Sequence, residues 1–219
     1  MSGNQPSRGQ ALAALNRFVR QPVKEAPVEK CEMCAQELVP GHSHIVNLET
    51  RSLMCSCRAC YLLFTQRGAA QGKYKAVPDR YLRLRSAGLS DEKWDAMQVP
   101  VAMAFFFVNS ALGRVSGFYP SPAGATESQL ALDSWRELAS SDPAIETMEA
   151  DVEALLVRRD RDGSFEFFLV PIDACYELTG IVRRRWRGFD GGEEARRDID
   201  AFFAELRDKS RAESAASLL

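Results

Sequence analysis

Histidine is nearly absent from this sequence: among 219 residues only His42 and His44 occur. A Ser–His–acid triad has no histidine to draw on elsewhere, and the carboxylates show no pairing that marks acid–base chemistry. The reading therefore leans away from an enzyme. An excess of one charge is also missing. Lys and Arg number 28 against 30 Asp and Glu, a net charge of -2, so the chain is no electrostatic trap for nucleic acid or an anionic membrane. Long hydrophobic runs are lacking too: the longest, Val99 to Val108, is interrupted by Pro100 and too short to span a bilayer. Met1 to Gln10 is polar and carries no apolar signal segment. The expectation is a cytoplasmic chain with no membrane partner and no nucleic-acid partner. No internal repeat interrupts this picture.

What is present is cysteine in one place. Five of the six cysteines fall between residues 31 and 60, as Cys31-Glu-Met-Cys34 and Cys55-Ser-Cys57-Arg-Ala-Cys60. In a reducing compartment, clustered thiols read as metal ligands rather than disulfides. Each C-x2-C turn presents two thiolates on one side, and an intervening hairpin brings the pairs into a tetrahedron, as in a zinc ribbon or a rubredoxin-like knuckle pair. The expected metal ligands are Cys31, Cys34, Cys57 and Cys60. Four thiolates leave no coordination position for substrate, so the expected role is structural, with zinc as the metal. Iron is the alternative, and would make the module an electron carrier. Rubredoxin knuckles carry glycine after the second cysteine, whereas Ala35 and Tyr61 stand there in this chain, which favours zinc.

Cys55 is surplus to this quartet. Its position two residues before Cys57 puts both sulfurs on one side of an extended strand. It is read as an alternative ligand, a redox-active neighbour or a small buried hydrophobe. His42 and His44 share one strand face at the same spacing. They are candidates for additional ligands, for donors to the thiolates, for a separate labile metal pair, or for a plain surface pair. Cys175, on the inward stripe of a helix, reads as core packing.

The pattern elsewhere is α+β: a small zinc-ribbon or rubredoxin-like module followed by a larger domain with an antiparallel sheet. The expected division is an N-terminal helix and linker over 1–28, the cysteine module over 29–66, the α+β domain over 67–207 and a flexible tail over 208–219. Leu12, Leu15, Phe18 and Val19 mark the N-terminal helix. In the module, Ile45 to Leu48 and Ser52 to Met54 read as a hairpin between two knuckles. Gly68 to Tyr74 lacks the spacing and the Ser/Thr of a phosphate loop. Further on, Tyr81 to Leu84 reads as a strand edge, Ser90 as a helix cap, and Met103 to Val108 with Val115 to Tyr119 as paired strands. Pro120 to Ala125 reads as a loop, followed by a Thr126-x-x-Gln129 capping box and a helix burying Leu130, Leu132 and Trp135. A short helix follows Asp142-Pro143. Val152 to Val157 and Phe165 to Pro171 form a hairpin across Asp162-Gly163. Asp173 is expected to cap a helix with the stripe Cys175, Leu178, Val182 and Trp186, and a last helix buries Ile199, Phe202, Phe203 and Leu206. The basic run Arg183 to Arg187 reads as a solvated helix end favoured by the helix dipole, with a patch that binds an acidic protein or nucleic acid as the alternatives.

Several segments together carry a resemblance. They are the two cysteine motifs with His42-Ser-His44, Val77-Pro-Asp-Arg80, Met103-Ala-Phe-Phe-Phe107, Gly117-Phe-Tyr-Pro120, Val170-Pro-Ile-Asp173 and Trp186-Arg-Gly-Phe-Asp-Gly-Gly192. Over roughly residues 10–206 the chain resembles an uncharacterised bacterial domain-of-unknown-function family, whose members tend to be encoded beside actinobacterial-type nickel–iron hydrogenases. The resemblance implies an accessory role in hydrogenase assembly or electron transfer, with a hydrogenase subunit or maturation factor as the protein client. The first expectation is thus a metal-binding accessory protein, with Phe105–Phe107 and Pro120–Ser128 shaping a docking surface. The second is an iron electron carrier. The third is an enzyme with a site around Tyr119, Thr126, Glu127 and Asp173.

Overall fold

The computed structural model describes residues 28–66, 68–84, 89–97, 99–128, 135, 142–188 and 191–216, with side chains described as far as residue 210. The expected N-terminal helix, Gln129, Leu130 and Leu132 lie outside the described residues. Two antiparallel sheets with helices form, consistent with the α+β reading.

The smaller sheet has the order β2-β1-β3, from β1 (Ser43–Asn47), β2 (Ser52–Ser56) and β3 (Tyr74–Ala76). Between β2 and β3 lie helix α1 (Arg58–Leu62) and a 3-10 turn, Ala69–Gly72. The third strand thus comes from beyond residue 66 and pairs Ile45 with Ala76 and Asn47 with Tyr74.

The larger sheet contains β4 (Leu82–Leu84), β5 (Met103–Asn109), β6 (Arg114–Ser121), β7 (Gly124–Ser128), β8 (Glu153–Arg159) and β9 (Phe165–Pro171). Their order is β4-β9-β8-β5-β6-β7. Its central strands are apolar at nearly every position because both faces are covered. Period-2 alternation sends Met103, Phe105, Ala154, Leu156, Phe168 and Val170 to one face, and Ala104, Phe106, Leu155, Val157, Phe167 and Leu169 to the other. The first face packs under α4 (Ile172–Arg185) and α5 (Gly192–Ala216), through Cys175, Leu178, Val182, Phe202 and Phe203. The second is covered by Trp94 of α2 (Asp91–Ala96), by Ile145 of α3 (Pro143–Glu146), and by Met97 and Met148. Each fully buried phenylalanine contributes about 1.5–3 kcal/mol. Val46 of β1 and Val77, which directly follows β3, join the first face, with Leu48 and Leu53 packed against it, so the two sheets share one core.

The local signals for α2 and α3 appear as caps: the Ser90 hydroxyl accepts from Lys93 N and the Asp142 carboxylate from Ala144 N. Three expectations are corrected. Residues 120–128 form strand rather than loop and capping box: Pro120 pairs with Ala125 and Tyr119 with Thr126 around a turn at Pro122-Ala123. The Ser121 hydroxyl donates to Gly124 O and meets the Thr126 hydroxyl at 3.0 Å, which favours the hairpin over a helix start. Asp173 is not the cap of α4: Pro171 holds that position, and Asp173 lies in the first turn with its carboxylate engaged elsewhere. Trp186 is the C-cap of α4 in extended conformation rather than a residue of its helical turns; it still packs against the core with Cys175, Leu178 and Val182, and its ring lies over Gly191, where a Cβ would come to 2.9 Å. Helix α5 continues to Ala216, with Ser210 buried.

Candidate metal centre

The first cysteine pair sits on a tight turn. Ala35 N donates to Cys31 O and Cys31 N to Gln36 O, each at 2.8 Å. Ala35 adopts the left-handed conformation at φ 63, so the knuckle forms without the glycine, and Ala35 carries the steric cost. The residue type at position 35 therefore does not discriminate zinc from iron. The second pair is not a second knuckle. β2 ends at Ser56, and Cys57 becomes the N-cap of α1, its sulfur accepting from Cys60 N at 3.5 Å.

The sulfurs of Cys31, Cys34, Cys57 and Cys60 lie within 4.8 Å of one another. Cys34 and Cys57 are 3.7 Å apart. A tetrahedral ion with metal–sulfur bonds of about 2.3 Å requires sulfur–sulfur edges of about 3.8 Å. The quartet fits a metal ion, whose identity this donor set does not fix. Cys31 and Cys57 are buried, Cys60 is intermediate and Cys34 faces solvent. All six cysteines are free.

The quartet's protons are unevenly held. Burial opposes ionisation of Cys31, yet amide donors from Cys57, Cys34 and Met33 outweigh it and lower its pKa to about 6. Burial, together with hydrogen bonds shared with Cys57, Cys34 and Cys31, pushes Cys60 up to about 12. At Cys34 the Gln36 amide favours the thiolate, but the hydrogen bonds with Cys31 and Cys57 prevail and the net shift is upward. Four thiolates cannot be crowded together without a cation; a divalent ion removes that repulsion and displaces the protons.

Cys55 parts company with Cys57. Cys57 gathers with the other three cysteines of the quartet, whereas Cys55 pairs directly with His44 across β1 and β2. His42, His44 and Cys55 form a second group whose donor atoms lie within 4.8 Å of one another. The histidine rings stand 4.8 Å apart. Burial, then the charges of Glu29 and Glu32, raise the Cys55 thiol. His44 Nδ1 is 2.8 Å from Asp173 Oδ2, across a sequence separation of 129 residues. Nothing in the spacing of the motifs pointed to Asp173 as this partner; only the docking of α4 beside β1 brings it there.

Among known protein families, one described as a family of unknown function, DUF5947, has a profile that matches residues 30–210. The chain belongs to the DUF5947 family. That span includes both donor groups, both sheets and most of α5. No curated protein and no solved structure matches the chain.

The remaining sequence candidates do not converge. Tyr119 and Thr126 face each other across β6 and β7, Glu127 lies 3.5 Å from the exposed Arg114, and Asp173 serves His44. Phe105 and Phe106 are buried in opposite faces of the sheet. Cys175 is fully buried, and its thiol is raised by that burial. Arg185 at the end of α4 pairs with Asp198 at 2.9 Å and Glu194 at 3.8 Å. Among the described residues, no helix is long and apolar enough to cross a membrane.

Proposed function

We propose that this DUF5947 protein is a metal-binding accessory protein. In this reading Cys31, Cys34, Cys57 and Cys60 hold a structural zinc ion, and the module they stabilise presents a surface to a protein client. The convergence of four sulfurs at tetrahedral spacing carries the metal part. The need for it is physical: Val46, Leu48 and Leu53 are committed to the shared core, which leaves Ile45 and Phe64 as the large buried side chains inside the module. A metal then supplies much of the folding free energy. Zinc is favoured over iron because the second pair stands on a helix start, a departure from the paired knuckles of an iron carrier.

The client part rests on where apolar surface remains. Of the seven large hydrophobic side chains exposed among the described residues, Met33, Val39, Leu62 and Leu63 belong to the cysteine module and Val28 directly precedes it. Leu62 and Leu63 directly follow Cys60 and Tyr61 and are 51% and 66% exposed. Residues placed so openly beside the quartet suit contact with another protein. The resemblance to proteins encoded beside nickel–iron hydrogenases makes a hydrogenase subunit or maturation factor the client to test.

Metal analysis and a visible spectrum after anaerobic purification test the first part: one zinc in a colourless sample is expected, and a red, reducible sample would sink the zinc reading. Titration of a purified hydrogenase subunit against the wild-type chain and a Leu62→Glu/Leu63→Glu variant tests the second. Loss of binding with metal retained is the expected result. Binding equal in both proteins would move the docking surface elsewhere.

A further inference from the structure

Beside the quartet, the hairpin carries a second donor group whose chemistry differs from it. We propose that His42, His44 and Cys55 form an independent, open metal site for a borderline divalent ion such as zinc. Asp173 acts there as the positioning residue for His44. This inference does not depend on the client reading or on which metal fills the quartet.

Strand register builds the group. His44 and Cys55 are direct partners across β1 and β2, so their side chains leave the same face of the sheet. His42 lies two residues before His44 and shares that side, as the ring separation of 4.8 Å shows. All three donor atoms lie within 4.8 Å of one another. Cys55 is held in place by Glu32: its amide donates to Glu32 Oε1 at 2.8 Å, and Glu32 N donates to Cys55 O at 2.9 Å.

Hydrogen bonding sets both histidines in the form that binds metals. His42 Nδ1 is 3.2 Å from Val39 O, and a carbonyl can only accept, so the proton sits on Nδ1. His44 Nδ1 is 2.8 Å from the Asp173 carboxylate, which fixes its proton in the same way. Each ring therefore has its lone pair at Nε2. A carboxylate or carbonyl behind Nδ1, with Nε2 left to the metal, is the arrangement that orients histidine ligands in metal sites.

An independent sign of a missing occupant comes from the His42 ring. Its side chain is 9% exposed, and Nε2 is buried with no hydrogen-bond partner. A buried acceptor left unpaired is destabilising, and a metal ion would remove that cost. Asp173 Oδ1 is likewise buried and unpartnered, in keeping with a carboxylate placed to serve the histidine.

Two imidazoles and one thiolate make three protein ligands. A tetrahedral ion held this way keeps a fourth position for water or an added ligand, unlike the closed quartet. His42 and His44 also line a cleft of about 690 Å³ between the module and α4, together with Arg58, Tyr61, Tyr81 and Lys209. The fourth position can thus be reached by a small coordinating molecule.

The test uses the full chain carrying one equivalent of zinc, to which cobalt(II) is added anaerobically as a spectroscopic probe. The expected result is a second bound equivalent, with visible cobalt bands and a thiolate-to-cobalt charge-transfer band, and no zinc released. Cys55→Ser should abolish the charge-transfer band. His44→Ala should weaken cobalt binding at least about 10-fold, and Asp173→Asn should weaken it by about 10–100-fold while leaving the charge-transfer band in place. Zinc content and far-ultraviolet circular dichroism of each variant establish that the quartet and the fold persist. Should His44→Ala fail to fold, Cys55→Ser and Asp173→Asn still decide the matter. The site is refuted if no second equivalent binds, if the spectrum grows only as zinc is released, or if Cys55→Ser leaves it unchanged. Added azide should shift the cobalt bands; an unchanged spectrum would refute the open position.

Discussion

The two donor groups on the cysteine module sit side by side, yet they are assembled by different means. The sulfur quartet is local: all four cysteines fall between residues 31 and 60, on a turn and the start of a short helix. The His42–His44–Cys55 group leans on the rest of the molecule, because Asp173 reaches His44 from the first turn of α4. One group thus resembles a staple that its own segment closes. The other exists in its oriented form only where the module meets the larger sheet. Adjacent sites of similar composition can depend on the fold in opposite ways.

The harshest challenge to this contrast is Cys57→Ser. It removes the quartet ligand that also caps α1, and should cost the quartet's metal and lower Tm by about 10 °C or more, with proteolysis appearing within residues 28–66. Calorimetry and metal analysis would show it. If the variant keeps a tightly bound metal with four sulfur ligands, Cys55 has moved in as a ligand, and the two groups are not distinct.

Arg80→Met probes the opposite dependence. Arg80 donates from Nε and Nη2 to Glu153 at 2.7 and 2.6 Å, and Glu153 is buried. Removing the guanidinium leaves an uncompensated carboxylate inside the protein, a loss of about 3–5 kcal/mol in denaturant unfolding. Because Val77, Pro78 and Asp79 of the same segment line the cleft beside the histidines, the open group should weaken while the quartet keeps its ion. Equal effects on both would collapse the distinction.

The gentlest probe is acid. The Arg207 hydrogen bonds to Glu166 outweigh the opposing effect of burial, and with the charges of Arg207 and Arg83 they hold its carboxyl below the usual glutamate range. A depressed folded value means that the contribution is fully present above the unfolded pKa of about 4.3 and is lost as pH falls through the folded value. Glu166→Gln should therefore cost about 1.5 kcal/mol at neutral pH and flatten the acid limb of a stability–pH curve. The metal content of the module should not change.

Much of the architecture could be anticipated from local signals. The continuous apolar run Met103 to Val108, the Asp-Gly turn before Phe165 and the caps at Ser90 and Asp142 each encode their element within a few residues. The hairpin at residues 120–128 was missed because Thr126-x-x-Gln129 imitates a helix start, while the decisive contacts lie across strands between Ser121 and Thr126. The second knuckle was replaced by a helix because a C-x2-C spacing fits either a turn or a first helical turn. The role of Asp173 was invisible for a plainer reason: a carboxylate in a first helical turn is favoured by the helix dipole whether or not a histidine awaits it.

By itself, then, the sequence determined that the clustered cysteines meet, since five within 30 residues at short spacings leave few ways to arrange their sulfurs, but it left Cys55 as an alternative to the quartet. It also determined the near-continuous apolar runs that build a sheet covered on both faces. Only the tertiary structure decided that Cys55 belongs with the histidines rather than with Cys57, that β3 completes the small sheet, and that Asp173 stands behind His44. Spacing along a chain constrains neighbours, whereas long-range register and docking depend on how distant apolar faces are buried together.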